Sequence, residues 1–233
     1  MSLLLPAGGA TVSPDPAVTI SFESNGVQTA GATAYTFSSQ TLGTAAAGRK
    51  LVICTTMDAT AAPYSFGVSS ITVAGDSCTQ IIEHHGDAPN NLQGGGIWYV
   101  DKADDTTGDI VITYARAASL GSFALFAVYN ADAGAPADTY SEGTKTEDPQ
   151  AVSIDVEAAG GAIYYGWWLA QSGPYTAVGL DEDFEAIGMD TNHSHTAGHK
   201  VFADAQSSLT VSIDNSDTGS GQGLIVLTFD LDA

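Results

Sequence analysis

The sequence predicts an all-β fold, a two-sheet antiparallel β-sandwich with a jelly-roll-like layout. Three observations predict it. Apolar residues run continuously or recur at every second position in segments such as Ile110-Val111-Ile112-Thr113-Tyr114, Ser208-Leu209-Thr210-Val211-Ser212-Ile213 and Leu224-Ile225-Val226-Leu227-Thr228-Phe229; that is the period of a pleated strand and not of a helix. Gly, Asp, Ser and Thr clusters separate these segments at short intervals, as turns between strands require. The chain has 233 residues, 44% of them hydrophobic, which suffices for the core of one sandwich domain and does not match the composition of a disordered chain.

Taken in order, residues 1–17 are rich in Ala, Gly and Pro and read as an extended arm. Leu3, Leu4, Leu5, Pro6 and Val12 are its candidate docking residues, since an extended apolar segment can add to a neighbour's sheet edge. The sandwich domain follows over 18–233. Strands are expected near 18–23, 33–38, 49–57, 68–74, 78–83, 96–101, 109–115 and 122–130. A polar stretch at 131–148 reads as a loop, and further strands are expected near 150–156, 162–170, 183–189, 198–204, 208–213 and 222–231. Two half-motifs, 18–130 and 149–231, share an order: a small-Gly turn, a buried strand, an alternating strand and a strongly apolar strand. The order pairs 47–53 with 159–165, 71–76 with 197–202, 108–113 with 208–212 and 123–129 with 223–229. The expectation is that the two halves interleave their strands in one sandwich, with two small separate sandwiches joined by the loop at 131–148 as the alternative.

Charge narrows the function classes. The chain carries 27 acidic against 6 basic residues, net −21, and so lacks the Lys and Arg that neutralise phosphates; nucleic acid and anionic membranes are not expected partners. No apolar run reaches the ~20 residues of a membrane span, and the start has neither the basic region nor the apolar length of a signal peptide. Synthesis in a cytoplasm is expected. Cys54 and Cys78 read as free thiols behaving as small hydrophobes, not as a disulfide framework.

Chemistry has three leads. Asp181, Asp183 and Glu185 alternate along one segment, as in laminarinase-like glycoside hydrolases. Positions i and i+4 on a straight strand lie ~13 Å apart, however, against the ~5–5.5 Å of a retaining carboxyl pair, so a solvated acidic segment is expected. His193, His195 and His199 are the candidate transition-metal ligands, because i and i+2 share a strand face; His84-His85 would chelate less well. Asp101, Asp104 and Asp105, and then Asp214, Asn215 and Asp217, are oxygen-rich turns that would suit calcium. None of these carries a catalytic or cofactor assignment: no catalytic residue and no cofactor are expected. Trp167 and Trp168 are consecutive and cannot face the same core, so one must point outward or into the edge of another layer. Tyr64, Trp98 and Tyr175 are the candidate ligand or partner face.

The order Ala47-Gly48-Arg49-Lys50-Leu51-Val52-Ile53, Ser70-Ile71-Thr72-Val73-Ala74-Gly75-Asp76, Trp98-Tyr99-Val100, Thr107-Gly108-Asp109-Ile110-Val111-Ile112-Thr113-Tyr114 and Phe126-Ala127-Val128-Tyr129-Asn130-Ala131 resembles β-sandwich virion structural proteins of tailed bacteriophages. The likeness covers roughly residues 30–231. The resemblance implies a head decoration, head-fibre or tail protein, not an enzyme, located on the virion among other capsid or tail proteins. It also implies many copies, as a trimer or other homo-oligomer. A module binding host-surface glycans is the rival expectation, and a jelly-roll glycoside hydrolase comes after it.

Overall fold

A computed structural model describes residues 17–59, 67–85, 93–133, 136–142, 149–169, 174–187, 189, 193–215 and 222–232. The candidate residues Leu3, Leu4, Leu5, Pro6, Val12, Tyr64 and Asp217 lie outside the described residues. Among those described there are sixteen strands and no helix: β1 (Thr19–Gln28), β2 (Ala32–Thr41), β3 (Lys50–Ala59), β4 (Val68–Val73), β5 (Asp76–Ser77), β6 (Thr79–His85), β7 (Gln93–Asp101), β8 (Thr107–Tyr129), β9 (Asp138–Glu142), β10 (Gln150–Val156), β11 (Gly161–Leu169), β12 (Tyr175–Val178), β13 (Asp181–Ala186), β14 (His193–Val201), β15 (Gln206–Asn215) and β16 (Gln222–Phe229). The all-β, antiparallel, sandwich-like class is as the sequence predicts.

The interleaving is not. Strands of the first half pair only among themselves, in one eight-stranded sheet; strands of the second half form a five-stranded sheet, β13-β14-β11-β16-β9, and a three-stranded sheet, β10-β15-β12. Each half is its own sandwich. In the first half the 23-residue β8 serves both layers: its beginning pairs with β2 and β4, its end with β1 and β3. Gly121 sits where the strand passes from one layer to the other, and a Cβ there would come within 2.5 Å of the Tyr35 ring. The sheet therefore folds over a core of its own, with Tyr35, Ile53, Trp98, Ile112 and Phe123 inside.

The two halves repeat one plan. The layer β1-β8-β3-β7-β6 corresponds to β9-β16-β11-β14-β13, and β2-β8-β4 to β10-β15-β12. Registers agree in detail. Lys50 pairs with Asp101 and Val128, while Gly161 pairs with Val201 and Phe229. A one-residue bulge falls at the same place in both edge strands, between Gln80 and Ile82 in β6 and between Glu182 and Phe184 in β13. The preceding turns match as well, with Gly48 and Ala159 in the left-handed region at φ 71° and 61°. Of the sequence pairings, three coincide with this plan, but 71–76 belongs to β4, whose counterpart is β12, and 197–202 belongs to β14, whose counterpart is β7.

Stacking the two sandwiches gives four β layers and three apolar cores. The middle core joins the halves: Val52, Cys54, Ile97, Ala124 and Phe126 from the first meet Ile163, Tyr165, Trp167, Ile225 and Leu227 from the second. A third core, with Tyr164, Trp168, Val211, Ile213 and Val226, lies inside the second sandwich. β11 thus has a core on each face, and Trp167 and Trp168 are both fully buried, in different layers. Neither points outward. Cys54 lies in the middle core while Cys78 packs against the first, and both are free. Among the described residues no helix is long and apolar enough to cross a membrane.

Candidate functional site

Four places hold polar chemistry, and the first lies on the seam between the halves. Thr56 pairs with Gly95 and Ser122 across its sheet; the equivalent Trp167 pairs with His195 and Gly223. These two triplets face each other. Tyr165 Oη bonds the Thr56 hydroxyl and lies 2.8 Å from His195 Nδ1, with Ser122 Oγ at 3.3 Å from the same nitrogen. Burial drives the His195 pKa down to about 3 and the Tyr165 phenol well up, because neither charged form can be solvated there. His195 is therefore neutral and sealed off (0% exposed), with Phe184 edge-on at 4.9 Å. A Ser–His contact in which neither partner meets solvent has no route to a substrate; its chemistry is that of a polar pin in an apolar seam.

The acidic strand β13 is the second. Its bulge breaks the alternation on which the glycosidase lead depends. Glu182 pairs opposite Gly198 and Glu185 opposite Thr196, which sets these two glutamates on the face towards the third core. Glu182 accepts from Thr196 Oγ1 at 3.1 Å, and burial raises its carboxyl pKa. Glu185 accepts from the Tyr175 backbone N–H at 2.5 Å. The equivalent glutamate of the first half, Glu83, accepts from the Val68 N–H at 2.7 Å. The same carboxylate latch thus joins the two layers of each sandwich. Asp183 pairs with His199 Nδ1 at 2.5 Å and Asp181 with Lys200 at 3.5 Å. Asp181, Asp183 and Glu185 do not converge on a cleft.

The histidines do not converge either. His193, His195 and His199 share the face of β14 turned to the middle core, as i, i+2 and i+6 must, but ~3.3 Å per residue strings them along the strand. His195 engages hydroxyls and His199 engages Asp183. Among the described residues no group of three or more His, Cys, Asp or Glu is arranged to hold a metal ion. At the other end of the strands, the first calcium set is taken up by lysines: Asp101 by Lys50 at 2.9 Å, Asp105 by Lys102 at 2.8 Å and Asp104 by Lys102 at 3.8 Å. Asp214 is exposed on β15.

That end, the turn pole, is the third place. Arg49, fully buried, donates to five backbone carbonyls: Lys102 at 2.6 Å, Leu42 at 3.0 Å, Gly43 at 3.3 Å, Asp104 at 2.5 Å and Asp105 at 2.8 Å. No carboxylate is among these acceptors; carbonyl dipoles carry the charge. Beside it opens a depression of about 290 Å³ lined by Gly48, Lys50, Ala103, Ala131 and Asp232 among others. The first described residues lie here too: the Val18 N–H donates to the Ala159 carbonyl and Asn130 Nδ2 to the Ala17 carbonyl. Ala131 and Leu231 form an antiparallel bridge between the halves. Asp230 lies beside Asp132, Asp138 and Glu157, and burial followed by these carboxylates raises its pKa.

The expected ligand face is the fourth, and the structure corrects it. Trp98 is 2% and Tyr175 6% exposed; the first fills the core of the first sandwich, and the second packs edge-on against Trp168 at 5.7 Å with its hydroxyl on Ser194. All three tryptophans are buried, so none offers a stacking surface. Sequence reasoning missed Arg49 as a hub and Glu83 with Glu185 as a matched pair. The spacing Glu83-His84-His85-Gly86 against Glu185-Ala186-Ile187-Gly188 carried a signal for the pair. No known protein family, curated protein or solved structure matches this chain.

Proposed function

We propose that this chain is a structural component of a tailed-bacteriophage particle, a head decoration, head-fibre or tail protein that docks in many copies by its turn pole and arm. The observation that carries the reading is the polarity of the molecule. The root of the arm at Ala17 and the end of the last described segment at Asp232 meet at the same pole, next to the bridge that ties the halves. Ala17, the first described residue, thus lies at the turn pole, and the far strand ends project away from it. Four β layers over three cores make a stiff spacer between those ends, and the strand-and-turn resemblance to virion proteins points the same way. The acidic surface keeps such a protein from trapping a packaged genome. His195 and Tyr165 are sealed in the seam and Glu182 is held by Thr196, as a load-carrying module needs.

The test is immunogold labelling of intact particles with an antibody to the purified chain, for the full chain and for one lacking residues 1–16. Label on particles with the full chain and loss of it on truncation, with the circular dichroism spectrum unchanged, is the expected result. Particles without label, or equal label after truncation, would overturn the reading or its arm component respectively.

A further inference from the structure

In the middle core β1 lies against β14, β7 against β11 and β16, and β6 against β9, so equivalent strands of the two halves stack in reversed order. Two kinds of tie hold the halves together, and they lie apart along the seam. Backbone ties are at the turn pole: Ala131 bridges Leu231, the Asp132 N–H donates to the Asp230 carbonyl, the Asp232 N–H to the Asn130 carbonyl and the Val18 N–H to the Ala159 carbonyl. Side-chain ties lie further along β3 than Lys50, ~20 Å from that pole at ~3.3 Å per residue. There Thr56 and Ser122 of the first half meet Tyr165 and His195 of the second. Other histidines face the same seam, His84 at 5.9 Å from the Trp167 ring and His199 at 6.0 Å from the Phe126 ring.

We propose that the seam is an acid-released clasp hinged at the turn pole: a proton on His195 shifts the two halves towards a parted state in which each sandwich keeps its own core. The inference goes beyond the docking reading and does not depend on it. In the closed seam Tyr165 Oη, Ser122 Oγ and Thr56 Oγ1 surround His195 Nδ1, while Nε2 is buried with no hydrogen-bond partner. An imidazolium must donate from both nitrogens, so the closed seam has no place for its second N–H. Nor has it a counter-charge. The titratable groups set around the ring are Tyr165 on β11 and Cys54 on β3, both kept neutral by burial, and His84 on β6, whose Nε2 is likewise buried without a partner. Asp183 on β13 is engaged by His199 of its own half and moves with it. Parting the halves brings water to His195 and breaks the side-chain ties, and the backbone ties at the pole stay as the hinge. It bares Ile97, Phe126 and Trp167 of the middle core and leaves the first and third cores closed.

The two native thiols distinguish parting of the halves from opening of a sandwich. Cys54 is fully buried in the middle core, and Cys78 packs against the first. The full chain is prepared with Cys78→Ser or with Cys54→Ala, and the remaining thiol is reacted with a dithiodipyridine reagent at a series of pH values. Each rate is divided by that of N-acetylcysteine under the same conditions. The closed-seam value for His195 is about 3 and the ordinary value 6.5, so one proton multiplies the parted state roughly 70-fold between about pH 7 and about pH 4.5. The Cys54 rate is expected to rise by that factor, while the Cys78 rate and the strand circular dichroism stay level and His195→Gln abolishes the rise. A level Cys54 rate would overturn the clasp. So would a rise that Cys78 shares, a rise that comes with loss of the strand signal, or the same rise in folded His195→Gln. The first three outcomes are read on chains that keep His195, so the test stands even where that variant does not fold.

Discussion

Replacing Arg49 by methionine keeps most of the aliphatic stem and removes the five charge-assisted donations that tie residues 42–43 to 102–105. The Leu42 and Lys102 carbonyls lie in buried surroundings. Each, left without a donor, costs ~1–3 kcal/mol; the other three are near enough to the surface to recover water. Against this stands the desolvation of the guanidinium, which methionine does not suffer. The balance is a loss of about 3 kcal/mol, a large fraction of the ~5–15 kcal/mol that holds a domain folded. Urea unfolding followed by tryptophan fluorescence reads it directly, since all three indoles are buried. The control is Lys200→Met, which removes only a surface pair with Asp181 and is expected to cost under ~0.5 kcal/mol. If Arg49→Met lost no more than the control, carbonyl capture by Arg49 would not be what closes the turn pole.

Two further outcomes follow from the same geometry. Glu83→Ala and Glu185→Ala each remove one carboxylate latch between the layers of a sandwich, and each is expected to cost ~1–2 kcal/mol in urea unfolding; a cost at one position only would break the equivalence of the halves. Acidification tests His195. Its folded pKa of about 3 lies below the ordinary 6.5, so between those values the unfolded chain takes up the proton. Stability is fully present above pH 6.5 and is lost as pH falls through the window, by an amount on the order of 4 kcal/mol. Glu182 and Asp230, with raised pKa values, oppose this, because their folded forms bind protons at higher pH than the unfolded chain does. The urea midpoint of the parent should therefore fall more steeply from pH 6.5 to pH 4 than that of His195→Gln; equal slopes would remove His195 as the source.

The continuous strands were the legible part. Segments such as 110–114 and 224–229 bury a face or both faces along their whole length, and their β-branched runs have no other use. The strands at 138–142 and 175–178 escaped because they are short edge strands: β9 reads Asp-Thr-Tyr-Ser-Glu and borrows its structure from β16, and β12 has only four residues, Tyr-Thr-Ala-Val. The start of β14 escaped for the opposite reason. Asn, His, Ser and Thr there look like a loop, yet residues His193 to Ala197 are buried: the Tyr175, Tyr165 and Tyr164 hydroxyls bond Ser194 Oγ, His195 Nδ1 and Thr196 Oγ1, while His195 Nε2 has no hydrogen-bond partner. Order along the chain revealed the duplication; which layer each half occupies was not legible, since a strand with a core on both faces has no alternation to read. Trp98 and Tyr175 show the same limit. An aromatic residue on a strand has two faces to choose from, and four layers turn an apparent outside into another inside.

The seam explains why two such similar halves stay paired within one chain. Small residues on the first half, Thr56, Gly95 and Ser122, stand at the positions where the second half has Trp167, His195 and Gly223. Two second halves would set tryptophan against tryptophan, and two first halves would leave a void; only the mixed pair fills the space. Trp167 is clamped on both sides: a Cβ would lie 2.4 Å from its Cε3 at Gly95 and 2.2 Å from its Cζ2 at Gly223. Gly95→Ala should therefore cost ~1–3 kcal/mol by forcing the indole aside, and Trp167→Phe ~2–4 kcal/mol through the cavity it leaves. Combined, the added methyl enters space the smaller ring has vacated, so the double variant should be more stable than the sum of the two losses predicts by at least ~1 kcal/mol. Chemical denaturation of the four proteins in this cycle decides it. Strict additivity would mean that Gly95 and Trp167 do not share the seam, and the pairing of unlike halves would lose its physical basis.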